Sequence, residues 1–167
     1  MQRLFSQGNL HEFLESRKLE VKSFVESCDH DELLKANEKW CQTLIEKFRL
    51  KAPTILEDKI ETKEPERYSK DEDIEILVHF KGNAELLQYL PSKREPVLPY
   101  AEIRGQQLIL VYKTAGHKPE LQGQINEEIA RIKRYMVYVK KDVDEFNASL
   151  TRYVKDLVSE RKEEINN

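Results

Sequence analysis

The chain has 167 residues, of which 39% are hydrophobic and 35% charged, and its formal net charge is -3. This size predicts a single domain over residues 1–167 with one core, and the apolar content excludes a disordered chain. The balanced charge excludes the strongly basic class of nucleic-acid-binding domains. The sequence has no signal-peptide pattern and no apolar run near the ~20 residues of a membrane span, so we expect a cytoplasmic protein without a membrane partner.

Residues 1–49 carry two start signals for helices. Asn9 and Asp29 are each followed three residues later by a glutamate, which is the spacing of a capping box. An amphipathic pattern comes after each of them, and the second runs through Asn37 to Phe48. The sequence therefore predicts an N-terminal helical hairpin.

After Pro53 the hydrophobic period changes to two, which predicts β-strands within residues 53–113. Gly105 lies between two such runs and suits the first central position of a type II′ hairpin turn. We expect a short antiparallel meander of three or four strands, with a short helix at residues 84–89 and a solvated, charged loop at residues 62–73. The predicted strands are residues 54–60, 74–80, 100–104 and 107–113.

Pro119 suits the first turn of a helix, and the apolar residues behind it predict a long amphipathic helix over residues 119–146. Asn147 and Ser149 are cap-type residues, so we expect a bend or a break there before a further helix over residues 149–167. The predicted fold class is α+β, with the helical hairpin and the long helix packed on one face of the sheet.

The last predicted helix is a candidate for contact with a partner. Its pattern reaches Asn167 without a Gly or Pro stop signal, and the residues after Glu160 have no evident role inside the domain. We therefore expect a connecting helix that meets a fused C-terminal domain or a protein partner, including a second copy of the chain. The candidate partner-helix residues are Leu150, Val154, Leu157, Val158 and Ile165.

The common catalytic motifs are absent from the sequence, and five glycines leave little material for a phosphate loop or a dinucleotide fingerprint. We predict no catalytic residue, no cofactor and no metal. A zinc cluster of Cys28, His30 and Cys41 is an alternative that needs a fourth ligand from elsewhere. Two buried thiols and a surface histidine are the simpler interpretation.

Two enzyme alternatives stay open. Glu57 and Lys59 have the Glu-x-Lys spacing of a metal-dependent nuclease, although no acidic strand before them supplies the partner carboxylate. A site around His79, Glu75 and Glu102 would form only in three dimensions, where a sequence pattern does not reveal it.

Basic and aromatic side chains interleave on the long helix, which is a pattern that contacts phosphates and stacks on bases in nucleic-acid-binding proteins. The same face carries Glu127 and Glu145 at helical spacing, so an ordinary exposed face explains the pattern better. The candidate nucleic-acid contacts are Arg131, Arg134, Tyr138 and Lys141.

Several segments carry a resemblance to a known arrangement. They are Phe80-Lys81-Gly82, Tyr89-Leu90-Pro91-Ser92, Pro99-Tyr100-Ala101-Glu102-Ile103-Arg104-Gly105, Leu108 to Tyr112, Asp142-Val143, Phe146-Asn147-Ala148-Ser149-Leu150 and Arg161-Lys162-Glu163. Over about residues 33–165 the chain resembles a module of uncharacterised bacterial proteins, which precedes a restriction-endonuclease-like domain of the kind used in defence against foreign DNA. That nuclease domain is not in this sequence, so the resemblance carries over no catalytic residue.

The resemblance implies a role without chemistry of its own. The expected function is a non-catalytic recognition or assembly module of a bacterial DNA-defence nuclease system. The first alternative is a structural protein that oligomerises through its C-terminal helix, and the second is a small metal-dependent nuclease. Nucleic acid is a weaker expected partner than protein.

Overall fold

The computed structural model describes residues 1–63, 73–113 and 118–167, so most of the predicted charged loop lies outside the described residues. The helices are α1 (Leu10–Ser27), α2 (His30–Leu34), α3 (Glu38–Phe48) and α4 (Lys118–Asn166), with a 3-10 turn at Ala84–Gln88. The strands are β1 (Gln2–Arg3), β2 (Gly8–Asn9), β3 (Thr54–Lys63), β4 (Asp73–Lys81), β5 (Tyr89–Leu90), β6 (Tyr100–Arg104) and β7 (Gln107–Lys113). The described residues thus form the predicted mixture of helices and antiparallel strands.

The helical hairpin is confirmed only in part. Asn9 caps α1 as predicted, because its side-chain oxygen accepts a hydrogen bond from the backbone of His11 at 2.8 Å. The predicted second helix is wrong as a single element, since it is divided into α2 and α3. Asn37 begins α3 by accepting a hydrogen bond from the Trp40 backbone at 3.0 Å, so its side chain serves as a cap and does not continue the apolar stripe.

The main sheet has the strand order β1-β6-β7-β4-β3 with antiparallel neighbours. The four longer strands are those predicted, and Gly105 has a φ of +57° in the turn between β6 and β7. Two features differ from the prediction. The two-residue β1 adds a fifth strand, and β3 extends to Lys63 with a bulge between Ile55 and Ile60.

One face of the sheet is covered by the helices. Ile76, Val78 and Phe80 alternate along β4 toward the core, which they share with Leu108 and Leu110 of β7 and with the buried stripe of α4. Because side chains alternate along a strand, Glu75, Leu77 and His79 lie on the opposite, outer face. The C-terminal half of α4 passes beyond the sheet and contacts α1, α2 and α3.

The long helix is not interrupted. It runs for 49 residues from Lys118 to Asn166, so the predicted break at residues 147–149 is wrong. The amide of Asn147 points away from its own helix and makes two hydrogen bonds to the backbone of Leu50, with Oδ1 accepting from the N–H at 3.0 Å and Nδ2 donating to the carbonyl at 2.8 Å. Its polar group therefore does not compete with the helical hydrogen bonds, and the buried stripe continues through Phe146 and Leu150.

The segment between α3 and β3 has two sets of backbone contacts. Asn147 binds it at Leu50, and the turn after β4 binds it at Lys51. The Lys51 N–H donates to Oδ1 of Asn83 at 2.7 Å, and the Asn83 N–H donates to the Lys51 carbonyl at 2.8 Å. Gly82 has a φ of +102°, and a Cβ there would lie 2.5 Å from the Ala52 carbonyl oxygen. A glycine is therefore required at this crossing.

Candidate functional site

The basic and aromatic face of α4 is anchored to one glutamate of the loop before β6. Arg134 donates from Nε and Nη2 to the two carboxylate oxygens of Glu95, each at 2.9 Å, and the Tyr138 hydroxyl donates to Oε2 at 3.1 Å. The hydrogen bond from Arg134 lowers the pKa of Glu95, and the same bond raises the pKa of Arg134. We call Glu95, Arg134, Tyr135 and Tyr138 the Glu95 clamp.

Tyr135 is the buried member of the Glu95 clamp. Its ring stacks on Phe5 with centroids 5.1 Å apart, and its side chain is fully buried. Its hydroxyl donates to the Glu95 carbonyl at 2.9 Å and accepts from the Glu95 N–H at 2.8 Å. A single tyrosine therefore satisfies both backbone groups of the loop residue that it holds.

The remaining basic residues of the predicted nucleic-acid face are Arg131 and Lys141, and of these two only Arg131 binds carboxylates among the described residues. Arg131 donates to Glu128 at 2.8 Å and to Glu127 at 3.3 Å. The Lys93 ammonium lies 5.0 Å from the centre of the Tyr138 ring, on a face that a base would need for stacking. Lys141 is exposed. Contact with nucleic acid stays a prediction, but neighbouring carboxylates reduce the positive charge that would attract phosphate.

The predicted partner stripe lies largely in the core of this chain. Leu150 and Val154 are fully buried and Val158 is 4% exposed, whereas Leu157 and Ile165 are half-buried. Leu150, Val154 and Val158 thus pack inside this chain, and contact of the end of this helix with a partner stays a prediction. The residues after Glu160 also have an internal contact, because the Lys162 ammonium donates to the Ala36 carbonyl at 2.5 Å.

The metal alternatives gain no support from the geometry. Among residues 1–63, 73–113 and 118–167, no three His, Cys, Asp or Glu side chains are placed to hold a metal ion together. Burial raises the pKa of both Cys28 and Cys41, as expected for packed thiols. Glu57 and Lys59 lie in the bulge of β3, where the Glu57 carboxylate is 2.6 Å from the ammonium of Lys133.

The three residues of the second enzyme alternative share a face without converging. Glu75 and His79 lie on the outer face of β4, which pairs with one edge of β7. Glu102 belongs to β6, which pairs with the other edge of β7, and there it lies opposite Ile109. Because β7 stands between β4 and β6, Glu102 is two strand spacings, roughly 10 Å, from the β4 side chains. Glu102 instead binds Arg104 at 3.0 Å.

A different group of polar residues comes together between α1 and α4. They surround a cleft of about 270 Å³ whose inner wall includes two almost fully buried apolar side chains, Leu14 and Phe146. Ser92, from the loop after β5, also lines it. We call this space the α1–α4 cleft. Its lining residues are His11, Leu14, Glu15, Lys18, Ser92, Asp142, Glu145, Phe146 and Ser149.

The polar wall of the cleft is formed by residues that helical spacing brings to one side of α4. Asp142, Glu145 and Ser149 follow one another at three and four residues along α4, so they occupy one side of that helix. The Ser92 N–H and hydroxyl donate to Oδ2 of Asp142 at 2.8 and 3.0 Å, which fixes the orientation of this carboxylate. The carboxylate and hydroxyl oxygens of this wall can accept hydrogen bonds from a donor.

The α1–α4 cleft was not among the sites predicted from the sequence. Its residues belong to no local motif, because α1, Ser92 and α4 are brought together only by the fold. One indirect signal exists, since Ser92, Asp142, Phe146 and Ser149 belong to three segments that carry the resemblance described above. The segment that contains Ser92 lies 50 residues before Asp142 in the sequence, and the two residues are adjacent at the cleft.

Comparison of the chain with family models, with curated proteins and with solved structures gives no match. The fold and its cleft are therefore interpreted from the residues of this chain. In the part of the chain that the structure describes, none of the helices combines the length and the apolar character needed to cross a membrane.

Proposed function

We propose that this chain is a non-catalytic recognition or assembly module of a bacterial DNA-defence nuclease system, and that it contacts its partner through the α1–α4 cleft. The role follows from the resemblance, and the cleft gives it a location. The partner expected there is a protein of that system, which carries the nuclease domain itself.

One observation carries the proposal. The resemblance rests on segments dispersed along the chain, and three of them contribute Ser92, Asp142, Phe146 and Ser149 to a single cleft. Asp142, Phe146 and Ser149 are neighbours on α4, and the fold brings Ser92 beside them from 50 residues before Asp142. A concave site with an apolar floor and a few oriented polar groups is the usual form of a binding site.

The two alternatives have less support. Oligomerisation through the C-terminal helix loses its main contact residues, because Leu150, Val154 and Val158 pack inside this chain. The metal-dependent nuclease relies on Glu57 and Lys59, which lie in an exposed bulge with Glu57 bound to Lys133.

A site-specific photocrosslinker tests the location. A photoreactive phenylalanine analogue at Ser149, in the cleft, should crosslink in the source cell to a protein that contains a restriction-endonuclease-like domain. The matched control places the same residue at Leu19, which is 63% exposed on α1 but does not line the cleft. Crosslinking of the same protein with equal yield from both positions would contradict a role for the cleft.

A cleavage assay tests the absence of catalysis. The purified chain with Mg²⁺ or Mn²⁺ should leave plasmid and linear DNA intact. Cleavage that disappears in both Glu57→Gln and Lys59→Ala would overturn the proposal, because it would identify a nuclease site in the chain itself.

A further inference from the structure

Strand β3 lies at one edge of the main sheet. Among the described residues it pairs only with β4, so one side of its backbone faces away from the sheet. The strand has 10 residues, whereas β1 at the opposite edge has 2. After the bulge, Ile60 to Lys63 pair with β4 in regular register. An edge of this length is a template on which another strand can be added.

The side chains of this edge alternate in charge. From Glu57 to Lys63 every residue of β3 is exposed. Glu61 and Lys63 lie on the outer face of the sheet, and Lys59 precedes them at the same spacing of two. The residue between Lys59 and Glu61 is Ile60, an apolar side chain that is 36% exposed. The edge thus presents an isoleucine between a cation and an anion.

This order of charges limits how β3 can pair with a second copy of itself. In an antiparallel pair related by a two-fold axis, the residue on the axis faces its own copy, and residues equally far from it on either side face each other. The registers that keep most of β3 paired have Glu57, Asp58, Lys59 or Ile60 on the axis. The first three each bring two like charges into direct opposition, which destabilises a strand pair.

The register with Ile60 on the axis has no such conflict. Lys59 lies opposite Glu61 of the second copy, and by symmetry Glu61 lies opposite Lys59 of that copy. Lys63 lies opposite Glu57 in the same register. The two exposed Ile60 side chains meet across the axis and cover each other. Cross-strand pairs of opposite charge and of apolar side chains stabilise antiparallel strands.

These charges favour a second copy over an unrelated strand. Any extended peptide can form the backbone hydrogen bonds of an edge, so those bonds select no particular partner. Specificity comes from side chains that attract one partner and repel others. The edge of β3 meets this condition with its own reversed sequence. Because two edge strands form only a small contact, we expect weak association that depends on concentration.

We propose that two copies of this chain associate through antiparallel pairing of their β3 strands, with the two-fold axis at Ile60 and with Lys59 of each copy against Glu61 of the other. The two main sheets then form one continuous sheet. This inference goes beyond the proposed function, because it concerns a surface other than the α1–α4 cleft and requires no nuclease partner. A failed crosslink from the cleft leaves it standing, and its own failure leaves the cleft standing.

Sedimentation velocity of the whole chain, over concentrations up to the millimolar range, tests the association. The unaltered chain should show an equilibrium between monomer and dimer. Lys59→Glu and Glu61→Lys, each alone, should weaken association by about tenfold or more, because each change turns two attractive cross-strand pairs into repulsive ones.

An equimolar mixture of these two variants gives the sharpest comparison. In a mixed dimer every charged pair again has opposite signs, so the mixture should recover most of the affinity of the unaltered chain. Recovery also shows that both variants are folded. The matched controls are Lys22→Glu and Glu26→Lys, which make the same changes of charge in an exposed pair on α1 and should leave association unchanged.

Three results would overturn the proposal. A chain that stays monomeric at millimolar concentration would mean that the charges of β3 protect its edge from association. Association of Lys59→Glu or of Glu61→Lys that is as tight as that of the unaltered chain would assign the dimer to another surface. A mixture that associates as weakly as its two components would exclude the register with Ile60 on the axis.

Discussion

The Glu95 clamp and the α1–α4 cleft lie on the same helix and use charge in opposite ways. In the clamp, Glu95 is bound by Arg134 and Tyr138, and Tyr135 satisfies its backbone groups. In the cleft, Asp142 is oriented by a serine, and among the described residues no Lys, Arg or His nitrogen lies within 4.0 Å of its carboxylate. The difference teaches that the most conspicuous polar residues of α4 serve the fold, whereas the candidate site consists of residues without a recognisable motif.

Removal of the buried ring of the clamp should have the largest effect. Tyr135→Ala is expected to lower the free energy of unfolding by about 3–5 kcal/mol, because it removes a fully buried aromatic side chain and its contact with Phe5. Tyr135→Phe keeps the ring and loses the two hydrogen bonds to Glu95, at a cost of about 1–3 kcal/mol. Urea unfolding of both variants measures the two values. Nearly equal losses would mean that the hydroxyl carries the stabilisation.

The amide of Asn147 is expected to come next. Asn147→Ala should cost about 1–3 kcal/mol, because it leaves the N–H and the carbonyl of the buried Leu50 without their partner. Asn126→Ala is the matched control, since Asn126 is exposed and bonds only with Gln122 of its own helix among the described residues. Its change should stay within about 0.5 kcal/mol. Thermal unfolding that gave both variants the same midpoint would show that the contact with Leu50 adds nothing.

The Glu95 carboxylate predicts a smaller effect that depends on pH. Its pKa is lowered in the folded chain, chiefly by the hydrogen bond from Arg134, so folding favours the charged form. The resulting stabilisation is present above the ordinary value of 4.5 and is lost as the pH falls through the lower folded-state pKa.

Glu95→Gln should therefore lower the melting temperature at pH 7, and the difference from the unaltered chain should shrink toward pH 3. Melting curves at several pH values test this. A difference that is constant across that range would assign the effect to packing and not to charge.

The cleft should tolerate substitution most easily. Glu145→Gln is expected to change the free energy of unfolding by no more than about 0.5 kcal/mol, because this carboxylate is exposed and has no cationic partner among the described residues. Chemical denaturation beside Tyr135→Phe measures the contrast between the two regions. A loss above about 1 kcal/mol would show that the cleft, like the clamp, serves stability.

Local patterns predicted the sheet well. Strands β6 and β7 have the predicted bounds, because alternation of side chains and a glycine in the turn are properties of a few adjacent residues. The errors occurred where a polar side chain has two available uses. The apolar pattern places Asn37 within a stripe, but its side chain caps a helix. The residue type favours a cap at Asn147, but the partner of its side chain is Leu50, 97 residues away.

The candidate site could not be predicted from the sequence either, because its residues also have partners that are distant in the sequence. His11, Ser92 and Asp142 belong to three elements, and neither their spacing nor their types form a local pattern. The basic and aromatic residues did form such a pattern, but their partners Glu95 and Glu128 decide their role, and those pairings depend on the tertiary structure.

The single long helix also sets an order of events during synthesis. The Tyr153 hydroxyl donates to the carbonyl of Lys18, 135 residues earlier, at 3.2 Å, so α1 is covered by a part of the chain that is made much later. At about 5–20 residues per second, the ribosome needs roughly 7–27 s to add those residues. During this interval the apolar side of α1, with Val21 and Val25, lacks the helix that buries it. The final packing of α1 therefore has to wait until the C-terminal half of α4 has been made.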